Sequence, residues 1–241
     1  MQCALPKGII YTFGEENKKP ALKKILILVA ILIIPGVAYL ILQTGNNNYQ
    51  RLEIFGPKEP VTKTVNGKQV TDTLFHTIGN FSFIGHDSSL VTQELFKNKI
   101  YVTDFFFTTC KTICPRMSNQ LMRVQNEFKD DENILLLSHT VNPEEDTPPV
   151  LAEYAAKHNA ISGKWYFVTG DKKQLYDMAR NSYFVTAMEG NGGPDDFIHS
   201  EQMVLIDKEK RIRGFYDGTD YNEVSRLIDE IKVLRWEYDK K

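Results

Sequence analysis

Cys110 and Cys114, in Phe107-Thr108-Thr109-Cys110-Lys111-Thr112-Ile113-Cys114-Pro115, are the residues of this chain best suited to chemistry. They are two of only three cysteines in 241 residues. Thiolates are both soft donors and nucleophiles, so a close pair serves capture of a soft metal ion or disulfide exchange. The spacing predicts sulfurs at i and i+4, on one face of a helical turn. That geometry suits two thiolates clasping one ion at least as well as it suits exchange. A structural bridge, or two buried apolar thiols, is the other reading. A bridge closing so short a loop removes little unfolded-state entropy and therefore stabilises little.

The pair must be positioned by the elements around it. Ile100 to Phe107 is an apolar run that reads as a buried strand, and Pro115 to Lys129 has helical spacing. The thiols thus fall where a strand hands over to a helix. Further along, residues 133–141 and 165–168 read as core strands, with helices opening at Asp146-Thr147-Pro148-Pro149 and over Lys172 to Asn181. Gln202 to Ile206 and Ile212 to Tyr216 form an antiparallel pair, and Asp220 caps a last helix reaching about Tyr238. Before the thiols, Val61 to Thr71 reads as a hairpin around Asn66-Gly67, and residues 81–84 as a short strand. Alternating strands and helices ending in a hairpin and a helix predict a mixed α/β sandwich.

A third candidate is His199, which follows the glycine-rich stretch Gly192-Gly193-Pro194-Asp195-Asp196 and precedes the predicted strand at Gln202. A thioredoxin-like sheet would bring the start of that strand close to the cysteine loop. Two thiolates and an imidazole make a soft ligand set that favours copper, as Cu(I) or Cu(II). The competing reading of a lone histidine at a strand edge is structural or merely exposed. Asp195 and Asp196 are candidates to orient His199 from behind, as metal-bound imidazoles require. His76 and His86 lie in the early turn region, His158 ends a polar helix face, and His139 alternates within a strand.

Ile25 to Leu42 is a stretch of 18 residues without a charge. At about 1.5 Å per residue this can just cross a bilayer, with a kink at Pro35-Gly36. Lys18, Lys19, Lys23 and Lys24 crowd its N-terminal side, and Arg51 is the first basic residue beyond it. The positive-inside rule then predicts a single-pass anchor with the C-terminal domain outside the cytosol. Gln43-Thr44-Gly45-Asn46 is not a signal-peptidase site, so the anchor is expected to stay uncleaved. Cys3 falls on the reducing side and is assigned no role. Residues 46–241 carry 24 basic against 29 acidic side chains, a formal charge of −5. That argues against nucleic acid as a partner and suits docking onto basic patches or handling cations. The organisation expected is a short N-terminus (1–24), an anchor (25–42), a linker with hairpin extension (43–80) and an α/β domain (81–241).

From Phe81 to Trp236 the chain resembles the Sco/SenC family of membrane-anchored, thioredoxin-like copper proteins. Thr103 to Pro115 is similar to that family's strand-and-cysteine motif. Asn142-Pro143-Glu144-Glu145-Asp146-Thr147-Pro148, followed by Leu151 and Tyr154, resembles its second motif. His199-Ser200, then Leu205-Ile206-Asp207, resembles its third. Lys111 stands where the family often has proline, and Asn142 and Glu145 where aspartate and arginine are common. None of these changes removes a ligand, and Lys111 is expected to favour thiolate at its neighbour. The resemblance implies a thioredoxin-like sandwich with an N-terminal hairpin extension and one transmembrane helix. It also implies a metallochaperone, not an enzyme: copper held by Cys110, Cys114 and His199 and delivered to the binuclear copper centre of cytochrome c oxidase. Its partners would be the copper-binding oxidase subunit and an upstream copper donor or thiol reductant. The location would be a bacterial inner membrane, with the domain in the periplasm. The competing reading is a thiol–disulfide reductase that uses Cys110 and Cys114 to keep the oxidase's copper-ligating cysteines reduced.

Overall fold

A computed structural model describes residues 19–44, 51–65, 68–185 and 200–240. It divides into two compact units, residues 1–49 and 50–241. The first contains one helix, α1 (Lys19–Thr44), of 26 residues with Pro35 inside it. Its described side chains span residues 23–39, and among the described residues no helix is long and apolar enough to cross a membrane.

The second unit is built on a seven-stranded mixed sheet. Two antiparallel strands, β1 (Lys58–Val65) and β2 (Lys68–Phe75), stand apart as a sheet of their own, longer than the hairpin expected from Asn66-Gly67. Those two turn residues lie outside the described residues. Then follow β3 (Ser82–Gly85), β4 (Leu90–Thr92), β5 (Ile100–Phe106), α2 (Ile113–Glu127), β6 (Ile134–Thr140), α3 (Pro148–Lys157) and β7 (Trp165–Thr169). The chain closes with α4 (Lys172–Asp177), β8 (Gln202–Ile206), β9 (Ile212–Asp217) and α5 (Tyr221–Asp239). The strand order is β4-β3-β7-β6-β5-β8-β9. The three central strands, β7, β6 and β5, are parallel; β8 then runs antiparallel to β5, and β9 to β8.

Parallel central strands are buried on both faces, which is why they read as continuous apolar runs. On one face, Val102, Phe106, Leu136 and Phe167 pack under Met117 and Leu121 of α2, Leu151 of α3 and Leu227 and Ile231 of α5. On the other, Tyr101, Phe105, Leu135 and Leu137 pack with Phe81, Phe83, Leu175 and Tyr183. The last helix forms as expected, its Asp220 side chain accepting from the N–H groups of Asn222 and Glu223. The helix expected to run to Asn181 ends earlier. After Asp177 the backbone widens into a π turn over Met178–Ser182, where the Tyr183 N–H reaches the Met178 carbonyl. Strand β4 was not apparent from its three residues, too short for an alternation to register.

Candidate metal centre

Strand β5 delivers the chain to the thiols, and α2 receives it. At the end of β5 the Cys110 N–H donates to the Phe107 carbonyl at 3.3 Å, closing a turn. Helix α2 starts at Ile113, two residues before the expected Pro115. Cys114 therefore lies in its first turn, and Cys110 lies outside it. The expectation that both sulfurs share one face of a helical turn is corrected: the contact is between the helix N-terminus and the loop before it. Thr112, at the N-cap, makes no side-chain capping bond. The Cys110 Sγ instead accepts from the Cys114 N–H at 3.4 Å. It thus meets one of the amide groups that every helix leaves unpaired at its start.

This placement makes the thiols unequal. Partial burial works to raise the Cys110 pKa, but the backbone N–H groups of Cys114, Thr112 and Ile113 outweigh it and hold the thiol below its ordinary value. The positive end of a helix is where a thiolate is favoured. Lys111, expected to help, is exposed, and the largest influences on Cys110 come from its burial and from the amides around it. Cys114 is 5% exposed, and burial pushes its thiol up, with Cys110 and the carboxyl of Asp104 adding to the rise. Both cysteines are free thiols.

Beneath the pair lies a buried polar group. Asp104 of β5 accepts from the Ser138 hydroxyl at 2.5 Å, and the Trp165 indole N–H donates to the same Ser138 oxygen at 2.9 Å. Burial pushes the Asp104 carboxyl up to about 7. Tyr154 of α3 bonds Ser118 of α2 at 2.9 Å and belongs to the core cluster that holds Cys114. The segment of the second motif closes the site from the side: Asp146, fully buried, accepts from the Thr108 amide and from the hydroxyls of Thr108 and Thr140.

The histidines divide clearly. His139 belongs to the far face of the sheet, stacked on Phe105 at 4.9 Å and bonded to Thr103, with burial holding its imidazole down near about 3. His158 caps α3 against the Tyr154 ring and is buried, not on a polar face as expected. His199, Asp195 and Asp196 lie outside the described residues, as does Cys3. Among the described residues, no three His, Cys, Asp or Glu side chains are placed to hold a metal ion. The described donors are the two thiols. The strand that follows His199 is β8, whose Val204 pairs with Thr103 of β5. Since the two strands are antiparallel, the start of β8 lies toward the end of β5 that leads into the thiol loop.

A mixed sheet with helices on both faces and a thiol pair at the strand-to-helix junction defines a thioredoxin-like dithiol protein. The sequence model of the SCO1/SenC family matches residues 69–234, and the chain belongs to that family. The SCO1 protein homolog of Bacillus subtilis is 28% identical over 168 residues, covering 69% of this chain and 86% of its own. A solved structure of BsSco, "a member of the Sco family of cytochrome c oxidase assembly proteins" in which a disulfide switch was identified, is 26% identical. It superposes with a TM-score of 0.58 over 66% of this chain and 93% of its own. Arabidopsis thaliana ScoI, solved with copper bound, is 27% identical, with a TM-score of 0.52 over 64% and 97% of the two chains.

Proposed function

We propose that this protein is a copper carrier that binds one copper ion through Cys110, Cys114 and His199 and delivers it to the binuclear copper centre of cytochrome c oxidase. The observation that carries the reading is the unequal thiol pair at the start of α2. One thiol is held below its ordinary pKa by backbone amides; the other is buried and resists ionisation. A soft cation offsets the cost of ionising the second thiol, because a coordinated thiol gives up its proton. Handing the ion on returns that proton, so release is coupled to the same buried sulfur. Membership of the SCO1/SenC family and the copper-bound Arabidopsis relative support copper as the cargo. His199 is proposed as the third ligand because it precedes β8, and Asp195 or Asp196 as the carboxylate that orients it.

Residues 25–42 are proposed to anchor the chain in a bacterial inner membrane, with the domain facing the periplasm and the oxidase subunit. The lysines on the N-terminal side of the stretch support that orientation. The thiol asymmetry also fits a disulfide reductase acting on the oxidase's copper-ligating cysteines, and one experiment separates the two. Cells lacking the protein are complemented with Cys110→Ala, Cys114→Ala or His199→Ala at limiting copper. The carrier reading expects all three to fail to restore oxidase activity, with excess copper rescuing His199→Ala. Full rescue by His199→Ala at limiting copper, with none by Cys110→Ala, would make disulfide reduction the function instead.

A further inference from the structure

We infer that Asp146 is the positioning residue of the thiol loop, fixing Cys110 against the start of α2 without touching either sulfur. Asp146 is fully buried in the loop between β6 and α3. A carboxylate with no access to water is costly unless its oxygens are fully engaged. Its three donors are all uncharged. The Thr108 amide reaches both oxygens, at 3.3 and 3.2 Å, and the hydroxyls of Thr108 and Thr140 complete the set. The Thr140 oxygen is itself occupied as an acceptor by the Asn142 N–H at 3.0 Å, so its proton is free to point at Asp146.

Two of the three donors belong to Thr108, its amide and its hydroxyl. Thr108 sits between Phe107, whose carbonyl accepts the Cys110 N–H, and the Thr109-Cys110 step into the helix. Fixing Thr108 therefore fixes the arc that sets Cys110 Sγ 3.4 Å from the Cys114 amide. Among the described residues, the hydrogen bonds of Thr108 that tie this arc to the β6–α3 loop all end on Asp146. Stability alone does not call for a carboxylate here, since apolar groups of the same shape in place of a buried hydrogen-bonded set can be nearly neutral or stabilising.

The inference rests on the reading of the thiol pair as the copper site, so its test reads the loop separately from the metal. Amide hydrogen exchange on the copper-free, full-length chain compares wild type with Asp146→Ala, Asp146→Asn and Thr108→Val. Asp146→Ala is expected to lose protection selectively at residues 107–114, while the strands of the central sheet keep theirs. Asp146→Asn retains an acceptor oxygen for Thr108 and is expected to keep most of that protection, with Thr108→Val intermediate. In Cu(I) competition titrations the affinity should follow the same order, with Asp146→Ala weaker by roughly 10–100-fold, as for other groups that orient ligands. Wild-type protection at 107–114 and wild-type affinity in Asp146→Ala, with Cys110→Ala copper-free, would overturn the positioning role and leave the carrier reading intact. Undiminished affinity in Cys110→Ala would instead overturn the carrier reading. If Asp146→Ala fails to fold, the asparagine and valine variants decide: a uniform loss of protection across the sheet in both would make Asp146 a general structural residue and sink the inference.

Discussion

Two thiols four positions apart behave as different chemical groups because one meets a helix start and the other a core. For Cys110, folding lowers the pKa from an ordinary 9.0, so its contribution to stability is present above the unfolded value and lost as pH falls through the folded one. For Cys114 the sign is opposite. Its pKa is raised, so the stability of its buried neutral thiol is present below 9.0 and lost as pH rises toward the folded value. Reduced protein treated with iodoacetamide should therefore be labelled first at Cys110, with the rate rising at a pH below that of an ordinary thiol. Cys114 should resist until the protein unfolds. Peptide mass spectrometry over a pH series reads both, and equal labelling of the two cysteines at every pH would refute the asymmetry. The cysteine spacing announced the site, but the direction of each shift was not legible there. It depends on where α2 begins: the two-residue change in that boundary, from Pro115 to Ile113, takes Cys114 into the first turn and leaves Cys110 in the loop before it.

At the scale of elements, the β1–β2 hairpin and helix α5 are opposites. The hairpin keeps its own two-stranded sheet, with Val70 and Leu74 exposed, and gives no residue to either buried core. Two strands alone are only marginally stable in water. Helix α5 instead buries Val224, Leu227, Ile231 and Leu234 and is capped by Asp220. Replacing residues 60–73 by a short turn is thus expected to leave the urea midpoint nearly unchanged, since halving a loop alters closure entropy by only about 0.6 kcal/mol. Asp220→Ala, a single atom group by comparison, should cost about 1 kcal/mol through the lost cap. A larger loss from trimming the hairpin than from Asp220→Ala would show that the hairpin braces the domain.

For the domain as a whole, one buried cation joins distant parts of the chain. Arg213 of β9 bonds Asp207 at 3.1 Å, Glu237 of α5 at 2.8 Å and the carbonyls of Leu52 and Glu53 at 2.8 and 3.1 Å. It thereby fastens the segment entering the domain to the sheet and to its last helix. Asp207 keeps Arg211, but the buried Glu237 carboxylate loses its cation, so Arg213→Met should cost roughly 3–5 kcal/mol. The same variant should open residues 51–55 to proteolysis, because their carbonyls lose their donor. A thermal midpoint within a degree of wild type, with that segment still resistant, would rule the clamp out.

The sequence by itself determined most of the strands and helices, because their periodicity and caps are written within a few neighbouring residues, whereas β4, three residues long, left no such signal. It also determined where the thiols sit, at the junction of β5 and α2, since the strand and helix signals flank them directly. Tertiary structure alone decided what those thiols are. Cys110 is tuned by amides freed at a helix start, and Cys114 by burial under α3 and by Asp104. Tertiary structure also decided that Asp146 serves Thr108, 38 positions away, and that His139 faces the wrong side of the sheet to join them. Such effects come from which donors and apolar surfaces remain unpaired when strands dock, and that is settled by partners far apart in the chain.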